Sequence, residues 1–445
     1  MTSSDAARRR IARGLVAIVV TAAAVSLSAQ APLTVETFDA VWRIVRDSHF
    51  DKTLNGVDWE SVATELRPRA ARAHTAGELR AVLKDMLGRL GQSHFAIIPA
   101  TSDRIGDAPR DQSATPGFDV RLVGDDVLVT RVDAAGGGAA AGVQAGWKVN
   151  AIDGLPVARL VGSLPETLEE RFRQVEAWRL AQSRLRGPSG APVRITFEDD
   201  KGGEVLLAIE RRPESGQPVT VGSLPTMFVR VDAREVETPG GRPVGVVGFN
   251  VWMTAVDAKF QQAIDEFRGK AGVVVDLRGN PGGLAGMLMG ISGHFIDERI
   301  ALGVMKMRHN EELRFNVNPR RVNGRGERVD PFGGPVAILV DSLSGSASEC
   351  FTGGMQSLGR ARVFGQRTMG QALPALFDRL PNGDVLIHAF GDFVTADGTR
   401  LEGRGVIPDE VVPLDRAALL AGRDGTLEAA LEWIDRAAGS RAALR

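Results

Sequence analysis

Two runs in the second half of the chain are apolar at nearly every position: Gly272-Val-Val-Val ahead of Asp276-Leu277, and Pro335-Val-Ala-Ile-Leu-Val340. A strand wetted on one face alternates apolar and polar residues, whereas a strand without alternation is covered on both faces. Val244 to Phe249 reads as a further strand, and Ala255 to Phe267 carries apolar residues at helical spacing. Residues 243–412 thus predict an α/β architecture around a buried parallel sheet, with closing helices over Asp415 to Ala438.

The second buried run leads into Asp341-Ser-Leu-Ser-Gly-Ser346-Ala347-Ser348-Glu349, ahead of a helix expected to start at Cys350. A serine at a strand-to-helix turn can lift its hydroxyl above the sheet, next to fresh helix N–H groups, which is the setting a nucleophile needs. The same residues also suit plain capping, with Ser344 or Ser346 as cap and Glu349 closing a capping box. The first buried run ends in Asp276-Leu-Arg-Gly-Asn-Pro-Gly-Gly283. Its glycines allow close approach of backbone N–H groups to a ligand, as an oxyanion site requires, or simply a tight turn. It lacks the lysine of a phosphate-binding loop.

The chain has 445 residues, enough for two or three domains, with 43% hydrophobic and 24% charged residues and a net charge of −1. That balance fits a soluble globular protein and gives no case for nucleic acid. A single cysteine, Cys350, excludes an internal disulfide and a cysteine-based zinc site, and reads as a small buried residue. Neither metal nor cofactor is expected. Arg8, Arg9, Arg10 and Arg13 precede an uncharged, mostly apolar Gly14 to Ala29 and an Ala29-Gln30-Ala31 site. Residues 1–31 therefore read as a secretory signal, with an uncleaved anchor as the alternative, and the mature protein is expected outside the cytoplasm, periplasmic or extracellular. No other run is long enough to span a bilayer.

Four units are expected after the signal: a helical unit at 32–100, a linker at 101–115, a mixed unit at 116–213 and the α/β core at 220–445. The mixed unit contains Gly117-Phe118-Asp119-Val120, a strand-like Val127 to Val132, and Gly136 to Gly154 with its Ala-rich helix and Ile-Asp-Gly hairpin. These residues resemble a PDZ domain, with Trp147 where that pattern has Asp and a helical insertion at Glu166 to Arg186. The resemblance implies capture of a peptide, its C-terminal carboxylate included, at Gly117, Phe118, Asp119 and Val120; a unit that only positions its neighbours is the alternative.

Together with that unit, Asp276 to Gly283 and Ser346-Ala-Ser-Glu349 resemble the C-terminal processing (tail-specific) serine peptidases. The resemblance implies a ClpP/crotonase-like core, hydrolysis of a peptide or protein substrate, Ser346 as nucleophile, and assembly of identical copies as an open option. It implies oxyanion donors at Ala347 and at Gly282 or Gly283. Processing peptidases of the Ser–Lys type carry lysine in a Thr-Phe-Gly-Lys-Gly run, and Thr368-Met-Gly-Gln371-Ala372 aligns with it. An amide cannot take a proton from serine near neutral pH, so Gln371 removes that base. Leu90-Gly-Gln-Ser93-His94 and Leu401-Glu402-Gly-Arg-Gly-Val-Ile-Pro-Asp409 instead resemble the tricorn-type branch. That likeness implies His94 as general base, linked through Ser93 to Glu402. Ser93 and His94 are neighbours and would face opposite ways on a straight strand, so the tetrad demands a bend there. A non-catalytic binder or carrier of apolar ligands, like the retinoid-binding repeats that resemble this fold, is the competing expectation.

Overall fold

The computed structural model describes residues 32–100, 114–222 and 226–443. The expected signal, residues 1–31, lies outside them, as does most of the expected linker. Its last two residues, Ala114–Thr115, are not linker at all. They pair antiparallel with Arg212–Pro213, which closes the mixed unit one strand earlier than the sequence suggested.

Six strands build the central sheet, in the order Val231–Glu237, Pro243–Phe249, Gly272–Asp276, Val336–Val340, Arg362–Gly365 and Glu410–Val411. The first pair is antiparallel and the other four are parallel. The two apolar runs lie side by side, Val273 opposite Val336 and Asp276 opposite Leu339. Their lack of alternation now has a cause. Val273, Val275, Val336 and Ile338 pack on one face with Trp252, Phe260 and Phe351. Val274, Ala337 and Leu339 pack on the other face against Leu427, Ala430 and Ile434 of the helix Gly425–Ala443.

The N-terminal unit is three helices, Leu33–Ser48, Trp59–Ala71 and Ala76–Gly88. Asp58 and Thr75 cap the second and third by accepting the N–H groups of Ser61 and Glu78. Their core of Phe38, Leu66 and Leu83 includes Leu380 and Leu386 from the far end of the chain. Ala96–Ile98 pairs antiparallel with Val385–Ala389, and Arg80 holds the buried Asp384 with two hydrogen bonds of 2.9 and 2.7 Å. Residues 94 and 402 are thereby brought to the same end of the molecule.

The mixed unit is an antiparallel sheet in the order Phe118–Val123, Asp126–Val132, Lys148–Ile152, Pro192–Glu198 and Glu204–Glu210. Trp147, the departure noted in the sequence, is buried with its ring against Phe197, so it fills core volume. The helix Glu170–Leu185 lies within the unit and is shorter at both ends than the expected Glu166 to Arg186.

Candidate active site

Ser346 follows the strand Val336–Val340 and is the N-cap residue of the helix Ala347–Ser357, which begins three residues before the expected Cys350. Its backbone adopts φ 52° and ψ −116°, a region that a β-substituted residue occupies only under constraint. That conformation is the sharp elbow expected of a nucleophilic serine above a sheet. Ser344 is no cap: its buried hydroxyl donates to the Leu277 carbonyl and accepts from the Asp341 N–H. Cys350 is buried on the helix, as its composition-level reading required.

The constraint on Ser346 comes from Glu349. This carboxylate is fully buried and accepts four hydrogen bonds. Oε1 accepts from Thr368 Oγ1 at 2.5 Å and the Gly370 N–H at 2.6 Å; Oε2 accepts from the N–H groups of Gln371 at 2.9 Å and Ser346 at 3.1 Å. Burial pushes its pKa up to about 7 against the opposing pull of those donors.

Next to the serine, Asn280 organises the glycine turn. Its Nδ2 donates to the Phe249 carbonyl, its Oδ1 accepts the Gly282 N–H at 3.0 Å, and its carbonyl accepts from the Gly345 N–H and Ser348 Oγ. Gly282 has φ +106°, and a Cβ there would stand 2.6 Å from Ser346 Cβ and 2.9 Å from the Ala347 nitrogen. The Gly282 N–H is thus occupied. Among the described residues, the N–H groups of Gly283 and Ala347 donate to no protein acceptor.

A second cluster forms around Glu402, which is 9% exposed in spite of its glycine neighbours. Glu402 Oε1 accepts the Ser93 N–H at 2.8 Å, and Oε2 accepts Ser93 Oγ–H at 2.8 Å and the Ala372 N–H at 2.9 Å. Ser93 Oγ lies 2.8 Å from His94 Nδ1. With the serine proton given to Glu402, the imidazole must donate from Nδ1, which leaves a lone pair on Nε2. The bend that the neighbouring pair demanded is present: His94 has φ +60°. Burial holds the His94 pKa down to about 4, so the ring is neutral at pH 7. His94 Nε2 makes no hydrogen bond to Ser346 or to any other described residue.

One peptide unit joins the two clusters. The Gln371 carbonyl accepts the Ser346 N–H at 2.8 Å, and the next N–H, of Ala372, donates to Glu402. Gln371 stands where a lysine base would be and contributes its backbone.

Several supporting residues carried no sequence signal. His49 is buried, reaches Gln92 Oε1 at 2.9 Å and stacks on Phe95, bracketing Ser93-His94 on both sides. Arg171, from the mixed unit, donates to the carbonyls of Gly403 and Arg404 and fixes the turn that carries Glu402. Arg121, also from the mixed unit, donates to Asp341 at 2.9 Å, and Asp341 accepts the Gly279 and Leu343 N–H groups beside the serine turn. Asp409 accepts the Val363 N–H and is structural.

Of the expected peptide-binding residues, Phe118 and Val120 are buried in the unit's core. Gly117, at φ +79°, packs on Gly136. Asp119 is held by Arg121, by Trp178 Nε1 at 3.1 Å and by Gln182 at 3.4 Å. The helix Glu170–Leu185 therefore lies across the outermost strand of that sheet.

The Peptidase family S41 profile matches residues 243–412, the segment that carries Ser346, Glu349 and Glu402. Residues 243–412 form a serine peptidase domain of family S41. The Tricorn protease C1 domain profile matches residues 35–88 of the peptidase, within the helical unit that leads to His94. A carboxyl-terminal-processing protease of Picosynechococcus is 25% identical over 387 residues, covering 84% of this chain and 81% of that protein. Tricorn protease homolog 1 of Streptomyces coelicolor is 26% identical over 407 residues, covering 89% of this chain but 34% of that protein. The solved photosystem II D1 C-terminal processing protease superposes with a TM-score of 0.55 at 22% identity, over 90% of this peptidase and 97% of that chain, a likeness of fold.

Proposed function

We propose that this peptidase cleaves polypeptides through a Ser346 acyl-enzyme, with His94 as general base and Ser93 and Glu402 fixing the imidazole. The observation that carries the reading is the Glu402–Ser93–His94 chain, which leaves a basic Nε2 on a loop tied through one peptide unit to the nucleophile. Ser346 Oγ attacks the scissile carbonyl while His94 Nε2 takes its proton. The oxyanion receives the N–H groups of Ala347 and Gly283, the two donors left without protein acceptors. The C–N bond then breaks, and His94 returns the proton to the leaving amine. Water, deprotonated by His94, attacks the ester and releases the new carboxylate and Ser346–OH. Closure of the Ser346–His94 pair belongs to the substrate-bound state, because catalytic hydrogen bonds often tighten only there.

The mixed unit is read as PDZ-like, offering its outer strand to a substrate C-terminus once the helix Glu170–Leu185 moves aside. Residues 1–31 are read as an export signal. Among the described residues no helix is long and apolar enough to cross a membrane.

A fluorophosphonate probe tests the site. Peptide mapping after labelling is expected to place the adduct on Ser346, with no labelling of Ser346→Ala. A wild-type protein that cleaves peptides yet labels elsewhere, or stays unlabelled across pH 5–9, contradicts the reading.

A further inference from the structure

We propose that Glu349 is a positioning residue of the peptidase: its carboxylate locks the strained elbow of Ser346 to the segment 368–371 and so holds the nucleophile in register with the cluster of Glu402, Ser93 and His94. The inference rests on Ser346 being the nucleophile and goes beyond it, because Glu349 touches neither substrate nor base.

Helix capping alone would need one contact, from Glu349 to the Ser346 N–H. The carboxylate makes three more, all to residues nineteen or more positions away in sequence. It is fully buried, with no cation paired to it among the described residues. A buried, unpaired carboxylate is expensive, and three backbone N–H groups and one hydroxyl offset that cost. Two of those N–H groups converge on Oε2, from Ser346 and Gln371. The Ser346 N–H also meets the Gln371 carbonyl, and the Ala372 N–H on the far side of that peptide meets Glu402. Glu349 therefore holds the Gln371 N–H just ahead of the peptide that joins the two halves of the site, and the Ser346 N–H that the carbonyl of that peptide accepts. The titratable groups around it are Cys350, its buried neighbour, and the carboxylates of Asp392 and Glu402, which share the surroundings of that cysteine. None of these supplies a compensating positive charge.

Glu349→Gln keeps the shape but turns one acceptor oxygen into a donor, which leaves two of the four N–H or O–H groups facing an NH2. The expected result is a fall in kcat of about 10²-fold with KM within threefold of wild type, because substrate binding does not touch Glu349. The fluorophosphonate labelling rate of Ser346 should fall by the same factor. The pH profile separates this role from a merely structural one. His94 gives an acid limb near 4; protonation of Glu349 gives an earlier, partial fall in kcat as pH drops below about 7. The glutamine variant, uncharged at every pH, should lack that upper step. Thr368→Val, which removes one of the four donors to Glu349 and also the acceptor of the Val406 N–H, should lower kcat about fivefold to tenfold and carries the test if the glutamine variant fails to fold. A kcat within threefold of wild type in the variant measured, a matching rise in KM, or an upper step that survives in Glu349→Gln overturns the inference. If Ser346→Ala itself stays active, the nucleophile assignment fails instead, and the two failures are distinct.

Discussion

His94→Ala should lose about 10⁴-fold in kcat/KM, with KM for a peptide substrate little changed. The reason is local. Within the cluster the hydrogen-bond directions are fixed: Glu402 accepts from Ser93 Oγ, and Ser93 Oγ accepts from His94 Nδ1. Only Nε2 remains as a base, and Gln371 cannot replace it, since an amide holds no accessible basic lone pair. The histidine is also available in the right form. Burial holds its pKa at about 4, so the neutral imidazole dominates at pH 7 without competition from its protonated form. A step in activity centred at 6.5, the ordinary value, is therefore not expected from this residue. Steady-state kinetics on a fluorogenic peptide check the magnitude. Retention of more than a tenth of wild-type activity in His94→Ala would remove it as base.

Gly282→Ala should be nearly as damaging although it removes no functional group. The residue sits at φ +106°, where an L side chain is strained by about 1–3 kcal/mol. The added Cβ would lie 2.6 Å from Ser346 Cβ, 2.9 Å from the Ala347 nitrogen and 2.9 Å from the Gly345 carbonyl oxygen. Two of these contacts are backbone, so relief must come from moving Ser346, the proposed nucleophile, or Ala347, a proposed oxyanion donor. Misplacing one such donor costs about 10²–10³-fold in kcat. The expected outcome is a loss of that size in kcat, with a destabilisation of about 1–3 kcal/mol in urea denaturation. Gly286→Ala, where a Cβ meets nothing within 4 Å, is the control and should leave kcat unchanged. Equal kinetics for the two variants would show that the turn tolerates what its geometry forbids.

The α/β core was legible because its central strands contact apolar layers on both faces, and that burial removes the alternation a half-exposed strand would show. Ser346 was legible as a turn residue for a related reason: a buried strand must end somewhere, and small polar residues mark the end. The route that brings His94 back was not. It depends on Ala96–Ile98, a strand of three residues that pairs with Val385–Ala389, and on leucines 380 and 386 completing a helical core formed by residues 38–90. Neither feature has a local period. The bend at His94 was required by the proposed tetrad but could not be read from the residue alone, since only a small share of non-glycine residues, histidine included, adopt a positive φ. The proposal of Gly283 over Gly282 as oxyanion donor rests on the Asn280 side chain, which accepts the N–H of the first and which no local pattern announces. Glu349 was visible only as a cap, because three of its four partners are distant in sequence. The linker expected at 101–115 ran two residues too far, since a two-residue strand leaves no pattern.

Ser346 and His94 are held here in clusters joined by the Gln371–Ala372 peptide, without a hydrogen bond between them. The most direct test of the account is a crystal structure of the diisopropyl fluorophosphate adduct. The account predicts phosphorus bonded to Ser346 Oγ, the phosphoryl oxygen within hydrogen-bond distance of the Ala347 and Gly283 N–H groups, and His94 Nε2 within reach of Oγ. An adduct on Ser346 with His94 turned away, and another basic side chain at Oγ, would contradict it.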